Sequence, residues 1–575
     1  MAHAEPVAIV RRADVEISGL PQQLPAVLRQ ILARRGIRST TQLDLRLQHL
    51  PHFSQLHDCE RAAARVMQAL RAGQHICICG DFDADGATST ALMVSALEAM
   101  GARNVSFCVP NRFTDGYGLS PNLVDYAKAQ GAELLITVDS GISCHAGVAA
   151  ANAAGIDVIV TDHHLAGAEL PPAYAIVNPN QPACQFPCKA IAGVGVAFYL
   201  LLAVRAQARE AGHRAAEVNL ADWLDLVALG TVADVVKLDD TNRVLVQQGL
   251  QRIRRGYCRP GINALLSVTQ RDPAQLQASD LGFAIAPRIN AAGRLDDMAI
   301  GIECLLSDDI EEARRLAQQL NDLNSERRSI ETEMRESAAS YVAQLQFNSD
   351  ALPPLLVLHQ PDWHQGVIGI VAGRVKEQFH RPTITFAAGD DGLLKGSARS
   401  IPGLHMRDLL ERVHTLQPDL IERFGGHAMA AGLSLAPEHL EAFREAATAV
   451  AVDWLEPQAL ERQILSDGAL DASCFTTGFV EQLQQLGPWG QGFPEPVFDD
   501  VFELLQQRIV GERHLKLVLR HADGIVVDAI AFNVATESWP DLSVRNARLL
   551  YKLQLNHFRG QTNVQLLVEH LQPLR

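Results

Sequence analysis

The chain has no apolar run long enough to cross a bilayer. Its strongest, Val194 to Val204, falls well short of the roughly 20 residues a membrane helix needs. The opening Met1-Ala2-His3-Ala4-Glu5-Pro6 lacks the basic head and apolar stretch of a secretory signal, so a cytoplasmic location is expected. Repeats and low-complexity tracts do not stand out, and no segment has the polar bias of a long disordered region, so order is expected nearly throughout. Cysteine is sparse: ten residues scattered through 575 make no disulfide framework and suit a reducing compartment. Cys184 and Cys188, the one pair at ligand-like spacing, read as loop cysteines before they read as a zinc site.

Positive charge is also in deficit. With 50 Lys and Arg against 66 Asp and Glu the formal charge is −16, which argues against wrapping duplex DNA through a broad basic face. A groove that threads one strand needs only local Arg and Lys plus bound cations, so charge alone leaves the partner open. Hydrophobic content of 47% and charged content of 20% are ordinary for a globular protein. A soft prior of about 150 residues per domain makes three or four domains.

What is present begins with Cys79-Gly80-Asp81-Phe82-Asp83-Ala84-Asp85-Gly86, three carboxylates at alternate positions directly after His75-Ile76-Cys77-Ile78. In an extended segment such residues point the same way, and unit charges about 4 Å apart repel by roughly 4 kcal/mol at an effective dielectric near 20. A cation is expected among them. Ile136-Thr137-Val138-Asp139-Ser140-Gly141 and Ile159-Val160-Thr161-Asp162-His163-His164 repeat the pattern of an apolar run ending in metal-capable groups. Asp234 closes Leu229-Gly230-Thr231-Val232-Ala233 in the same way. A single Asp after a strand is usually a turn or cap residue, but four such clusters in one unit point to a metal site. A calcium loop of the EF-hand type is excluded, because the twelfth residue from Asp81 is Leu92 where that loop needs Glu. Carboxylates mixed with imidazole and free of thiolate suit Mg²⁺ or Mn²⁺, with the imidazole favouring Mn²⁺.

Candidate strands at His75 to Cys79, Val105 to Val109, Leu134 to Val138, Val158 to Val160 and Tyr174 to Val177 alternate with helix-compatible stretches at Ala87 to Met100, Pro121 to Gln130 and His145 to Ala154. That alternation predicts a parallel sheet covered on both faces, with ligands collecting beyond the carboxyl ends of its strands. All three strand-borne clusters fall there. Asp234 would arrive on a helix, Leu220 to Val232, from an all-helical region. Arg112 follows the second strand and points to the same edge, where it could hold a phosphate. From Ser307 to Phe347 there is neither Gly nor Pro, which predicts one helix about 60 Å long, or two broken near Asn321 to Asn324. A second α/β unit runs from Leu355 to about Val452. After Gly487-Pro488-Trp489-Gly490-Gln491-Gly492 come short alternating strands, His514 to Leu519, Gly524 to Phe532, Arg548 to Asn556 and Asn563 to His570, which on pattern alone make a small β-barrel or sandwich.

The four acidic and histidine elements, in this order, resemble the DHH phosphoesterase superfamily, named for Asp162-His163-His164, and within it the RecJ family of single-strand-specific DNA exonucleases. The resemblance implies an α/β multidomain protein: a helical N-terminal segment over 1–60, a parallel-sheet DHH catalytic domain over 61–306, a connecting helix over 307–350, a smaller α/β DHHA1 domain over 351–455 and an all-β OB-fold over 456–575. It implies a catalytic set of Asp81, Asp83, Asp85, Asp139, His163, His164 and Asp234. Asp83, Asp85, Asp139, His163 and Asp234 would hold two divalent ions, Mn²⁺ or Mg²⁺, with Asp139 bridging. His164 would contact the phosphate or protonate the departing oxygen, and Asp81 and Asp162 would orient ligands by hydrogen bonds or themselves ligate. Arg294 in Ala286 to Arg294, together with Ser397, Arg399 and His427 in Gly-rich segments of the second unit, match substrate-contacting positions, and Tyr117 and Phe113 could stack on bases. The implied activity is 5′→3′ hydrolysis of single-stranded DNA to mononucleotides in recombination and repair. A single-strand DNA-binding protein and a helicase are the implied partners. The rival readings are a DHH hydrolase of oligonucleotides or cyclic dinucleotides, and a catalytically silent DNA-binding scaffold.

Overall fold

The computed structural model describes residues 7–112, 115–182, 184–348, 352–558 and 560–574. Phe113 and the first six residues, on which two of the expectations above rest, lie outside them. The chain packs as two compact units. One comprises Arg11–Asp322 with Leu465–Arg575, the other Leu323–Ile464 with the start of the chain to Val10.

In the larger unit a five-stranded parallel sheet runs in the order Val105–Cys108, Ile76–Cys79, Leu134–Val138, Asp157–Thr161, Ala175–Val177. Ile76–Cys79 and Leu134–Val138 are buried at every position, as expected of strands covered on both faces. Cys77, Cys79, Leu135, Val158 and Val160 pack on one side with Leu123, Val124 and Ala127 of helix Pro121–Ala129 and Val148 and Ala151 of helix His145–Ala153. Helices Ala84–Met100 and Gly193–Glu210 also pack on the sheet. The first strand in sequence lies between the second and the third, so the connections leave it in opposite directions. The switch point, where a crevice opens at the carboxyl edge, therefore falls between Ile76–Cys79 and Leu134–Val138.

The C-terminal strands close a barrel in the order Phe498–Val510, His514–His521, Val526–Ala531, Gln561–Leu574, Asn546–Phe558. All neighbours are antiparallel except Val526–Ala531 with Gln561–Leu574, the topology of an OB-fold. Phe498–Val510 was not among the expected strands: a bulge between Leu504 and Gln506 breaks its alternation, and Gln506, Gln507 and Arg508 make its second half polar. The barrel core also takes Leu28 and Ile31 from helix Ala26–Arg34, and Phe479, Val480 and Leu483 from helix Thr477–Gln485. The N-terminal segment is thus less helical than expected. It pairs strand Ala8–Arg11 with Gln463–Ser466, and beyond Arg34 it advances in three short 3-10 turns.

The connecting helix is continuous over Ile310–Asn348, not broken near Asn321, and begins where Asp309 accepts the amides of Glu311 and Glu312. The smaller unit holds a five-stranded sheet in the order Arg423–Gly426, Ala430–Leu435, Leu394–Arg399, Thr383–Ala388, Leu356–His359. Phe386, Met406, Leu409, Leu410 and Phe443 lie in its core.

Phe502 is fully buried in the barrel, against the rings of Phe475, His521 and Tyr551. Phe502→Ala is expected to cost the barrel about 3–5 kcal/mol, read as a lower urea midpoint for its unfolding.

Candidate metal centre

Each acidic cluster sits where a strand or helix stops. Beyond Ile76–Cys79 the chain turns, and Asp83 caps helix Ala84–Met100 by accepting the amides of Asp85 and Gly86 through Oδ1 at 2.9 and 3.0 Å. Asp139 follows Leu134–Val138 in the left-handed region, φ 57°. Asp162 follows Asp157–Thr161, and Asp234 ends helix Leu224–Ala233, one residue before Val235 at φ 63°. A left-handed β-branched residue stores strain of order 1–3 kcal/mol, and such strain collects at functional sites.

These segments converge. Ligand atoms of Asp81, Asp83 and Asp139, of Asp139, His163 and His164, and of Asp85, His163 and Asp234 form three groups, each within 4.8 Å. All seven expected catalytic residues are therefore in one cluster at the switch point. His163 Nε2 lies 3.1 Å from Asp139 Oδ1 and 3.5 Å from Asp234 Oδ2. None of the three atoms makes a hydrogen bond among the described residues, although all are buried.

Other carboxylate oxygens are already engaged. Asp85 accepts the amides of Gly193 and Val194 at 2.6 and 2.9 Å, so the N-terminus of helix Gly193–Glu210 faces its charge. Asp162 is saturated: Oδ2 accepts from Ile142, while Oδ1 meets the amides of His163 and His164 and the His164 ring. Its place is to shape the Asp-His-His turn. Asn178 and Asn180 hold that turn from the far side through the carbonyls of His164 and His163.

Burial holds the carboxyls of Asp81, Asp85 and Asp139 well above the usual carboxylate range, and neighbouring carboxylates push the same way. Burial also raises Asp234, against the pull of His163. Ionising so many buried acids together requires positive charge. The unpartnered Asp139, His163 and Asp234 atoms are where hard or borderline divalent ions fit. His164 is different: burial opposes its cation, yet the hydrogen bond and charge of Asp162 outweigh this and raise it to about 9.

Around the acids, the Arg112 guanidinium lies 3.9 Å over the Phe82 ring and donates to the Gly293 carbonyl. Half-exposed Tyr117 directs its hydroxyl to the Asp139 carbonyl at 3.1 Å, with the His164 ring nitrogens at 3.3 and 3.4 Å. Its ring stands edge-on to Phe82 and His164, so it braces the site as much as it offers a face to a base. Helix Ala286–Leu295, which carries Arg294, is pinned to the acidic loop by Asn290, whose Oδ1 accepts the Ala84 amide at 2.9 Å.

Ser397, Arg399 and His427 belong to the smaller unit. Ser397 and Arg399 share one face of strand Leu394–Arg399, with Arg399 Nη1 3.1 Å from Ser397 Oγ. A side chain at Gly369 would fall 2.9 Å from Ser397 Oγ and 3.0 Å from Arg399 Nη2, so the two stand close to the start of helix Ile368–Phe379. Burial lowers the Arg399 pKa. Exposed His427 lies in the turn after Arg423–Gly426, at the Arg399 end of the sheet. Cys184 and Cys188 are buried free thiols and join no metal-capable cluster among the described residues.

Comparison with known proteins accords with this geometry. Residues 75–231 match the DHH family N-terminal domain, 352–453 the DHHA1 domain and 466–570 the RecJ OB domain. The chain is 56% identical over 573 residues to the single-stranded-DNA-specific exonuclease RecJ of Dickeya dadantii, covering 99% of this chain and 100% of that one. The chain belongs to the RecJ family. Among solved structures, RecJ of Thermus thermophilus in complex with Mn²⁺ covers 96% of this chain and 76% of its own, with a TM-score of 0.79 and 31% identity. The Mg²⁺ complex of the same protein gives 0.73 and 29%, covering 96% and 75%. No helix among the described residues is long and apolar enough to cross a membrane.

Residue reasoning missed several groups that hold this cluster: Gly193 and Val194, which bind Asp85 through backbone amides, and Asn178, Asn180 and Asn290, which act on loops away from them in sequence. The glycines of Ala192-Gly193-Val194-Gly195 at a helix start were the one available signal.

A Cβ on Gly193 would meet Asp139 Oδ1 at 2.5 Å. Gly193→Ala is expected to weaken Mn²⁺ binding about 10- to 100-fold, measured by calorimetric titration. In chelator-treated protein, His164 at about 9 against an ordinary 6.5 contributes stability that is full below pH 6.5 and lost as pH rises through about 9. Asp162→Asn should drop the His164 midpoint below 6.5, read from its imidazole resonances, and remove that slope.

Proposed function

We propose that the chain is a 5′→3′ exonuclease specific for single-stranded DNA, releasing mononucleotides by two-metal-ion phosphodiester hydrolysis in DNA recombination and repair. The observation that carries the reading is the meeting of Asp139 Oδ1, His163 Nε2 and Asp234 Oδ2, buried and without hydrogen-bond partners, beside further acids at the switch point. Asp83, Asp85, Asp139, His163 and Asp234 would hold the ions, and family likeness gives Asp139 the bridging role. Mn²⁺ or Mg²⁺ bound there supplies a nucleophilic water at neutral pH and offsets charge on the scissile phosphate.

His164 is the general acid of this reading. Asp162 keeps its ring protonated near neutrality, so it can neutralise the phosphate and give a proton to the departing 3′ oxygen. Asp81 accepts the Phe82 amide, which fixes the loop that presents Asp83. Arg112 and Arg294 would grip the strand near the cut, Tyr117 would brace His164 and face a base, and Ser397, Arg399 and His427 would take a phosphate at the strand end. A strand held by its end and cut a fixed distance inward is an exonuclease substrate.

The domain division of the sequence analysis, a cytoplasmic setting and cooperation with a single-strand DNA-binding protein and a repair helicase belong to the same proposal through family likeness. The OB-fold barrel favours a polymer over small dinucleotides, because only a polymer needs a second surface to lie along.

With single-stranded DNA labelled at either terminus, Mn²⁺ should support mononucleotide release from the 5′ end and a chelator should abolish it. Asp139→Ala should lose at least a thousandfold in rate while still binding the strand. Release from the 3′ end, or an Asp139→Ala protein that cuts normally, would defeat the assignment.

A further inference from the structure

The central sheet carries a second convergence of ligating atoms. Cys77 and Cys79 stand two apart on one strand and so share a face. Cys108 meets them from the neighbouring strand, in register with Cys79. The Cys108 sulfur lies 3.3 Å from that of Cys79 and 3.8 Å from that of Cys77, and all three sulfurs fall within 4.8 Å of one another. All are free thiols, between 1% and 6% exposed. Packing alone does not ask for sulfur here, because Leu135, Val158 and Val160 line the same face.

The surroundings of Cys77 are a second observation. Its register partner Ser106 is hydrogen-bonded through Oγ to His75 Nε2 at 2.8 Å, and both of those residues are only half-buried. A polar chain therefore leads outward from an otherwise apolar cluster. Hydrogen bonding within the trio holds the Cys77 thiol below its ordinary value and the Cys79 and Cys108 thiols above theirs, so Cys77 is the one that ionises first.

We propose that Cys77, Cys79 and Cys108 form a three-sulfur site for one soft, thiophilic ion, with monovalent copper the best fit. Sulfur-only donors select Cu⁺, Zn²⁺ or iron–sulfur clusters over hard ions. Structural zinc takes four ligands, and no fourth His, Cys, Asp or Glu joins the trio among the described residues. An iron–sulfur cluster likewise needs four protein ligands. Binding exchanges S–H for S–Cu bonds with no change of oxidation state. The protons released leave along Ser106 and His75. The first strand would then serve two sites sorted by softness, thiols for a soft ion along its length and carboxylates for hard ions at its carboxyl end.

The test is anaerobic titration of the full-length protein with Cu⁺ held as its coloured bathocuproine disulfonate complex. Wild type should withdraw one equivalent, with sulfur-only ligation by X-ray absorption. Cys77→Val and Cys108→Val, each a strand-favouring change, should each lower the affinity at least a hundredfold while keeping Mn²⁺-dependent nuclease activity, which reports the fold. Loss of Cys144 and Cys258 together, the two less buried thiols, should leave uptake unchanged. No uptake by wild type, full uptake by folded Cys77→Val and Cys108→Val proteins, loss only in the Cys144/Cys258 variant, or preference for Zn²⁺ over Cu⁺ would each overturn the proposal.

Discussion

Several carboxyl groups with one imidazole between them, buried together at one point of a parallel sheet, form the constraint on which the rest of this structure depends. Each pair at about 4 Å costs roughly 4 kcal/mol at an effective dielectric near 20 when both members are ionised, and burial adds to it. The fold manages this by dividing the acids into two kinds. Asp83, Asp85 and Asp162 spend oxygens on backbone amides and so build the loops, whereas Asp139 and Asp234, with His163, keep atoms that nothing among the described residues satisfies. The first kind makes the geometry that the second kind needs, and only cations complete it.

A chain with a formal charge of −16 can engage a polyanion because the attraction is local. On the proposed reading, divalent ions, protonated His164 and Arg112 would concentrate positive charge where a phosphate would sit, within a low-dielectric edge that strengthens it. Stacking of Arg112 on Phe82 fixes the guanidinium without neutralising it, since an aromatic face holds a cation yet leaves its donors for an anion.

The catalytic sheet was legible because its strands are short, fully apolar and followed at once by chemistry. Leu134–Val138 emerged with the expected bounds, and the acidic clusters fell at the strand ends that the parallel arrangement demands. What stayed hidden acts through backbone or through bulges. The amides of Gly193 and Val194 leave no side-chain signature. The first barrel strand, Phe498–Val510, lost its period at the Leu504/Gln506 bulge, and the Asp-His-His turn depends on Asn178 and Asn180, which as sequence look like any turn asparagines. The N-terminal segment misled for a related reason. Its helix Ala26–Arg34 is amphipathic on its own terms, but the face it buries belongs to a barrel more than four hundred residues away.

That same long-range packing ties the barrel to the metal centre. After Asp234 the backbone passes through left-handed Val235 to Leu238, whose amide donates to the Gln491 carbonyl at 2.7 Å. Nearby, the buried Arg243 guanidinium lies 4.2 Å over the Phe493 ring, and Arg35 pairs with Asp467 at 2.8 Å with both side chains buried. The segment Gly487 to Phe493 that leads into the barrel therefore braces the turn that places the Asp234 carboxylate. A left-handed β-branched residue persists only where its surroundings over-determine it, and here those surroundings come from the C-terminal part of the chain. The barrel and the acidic cluster share a backbone support, so neither is expected to hold its geometry when the contact at Leu238 and Gln491 is lost.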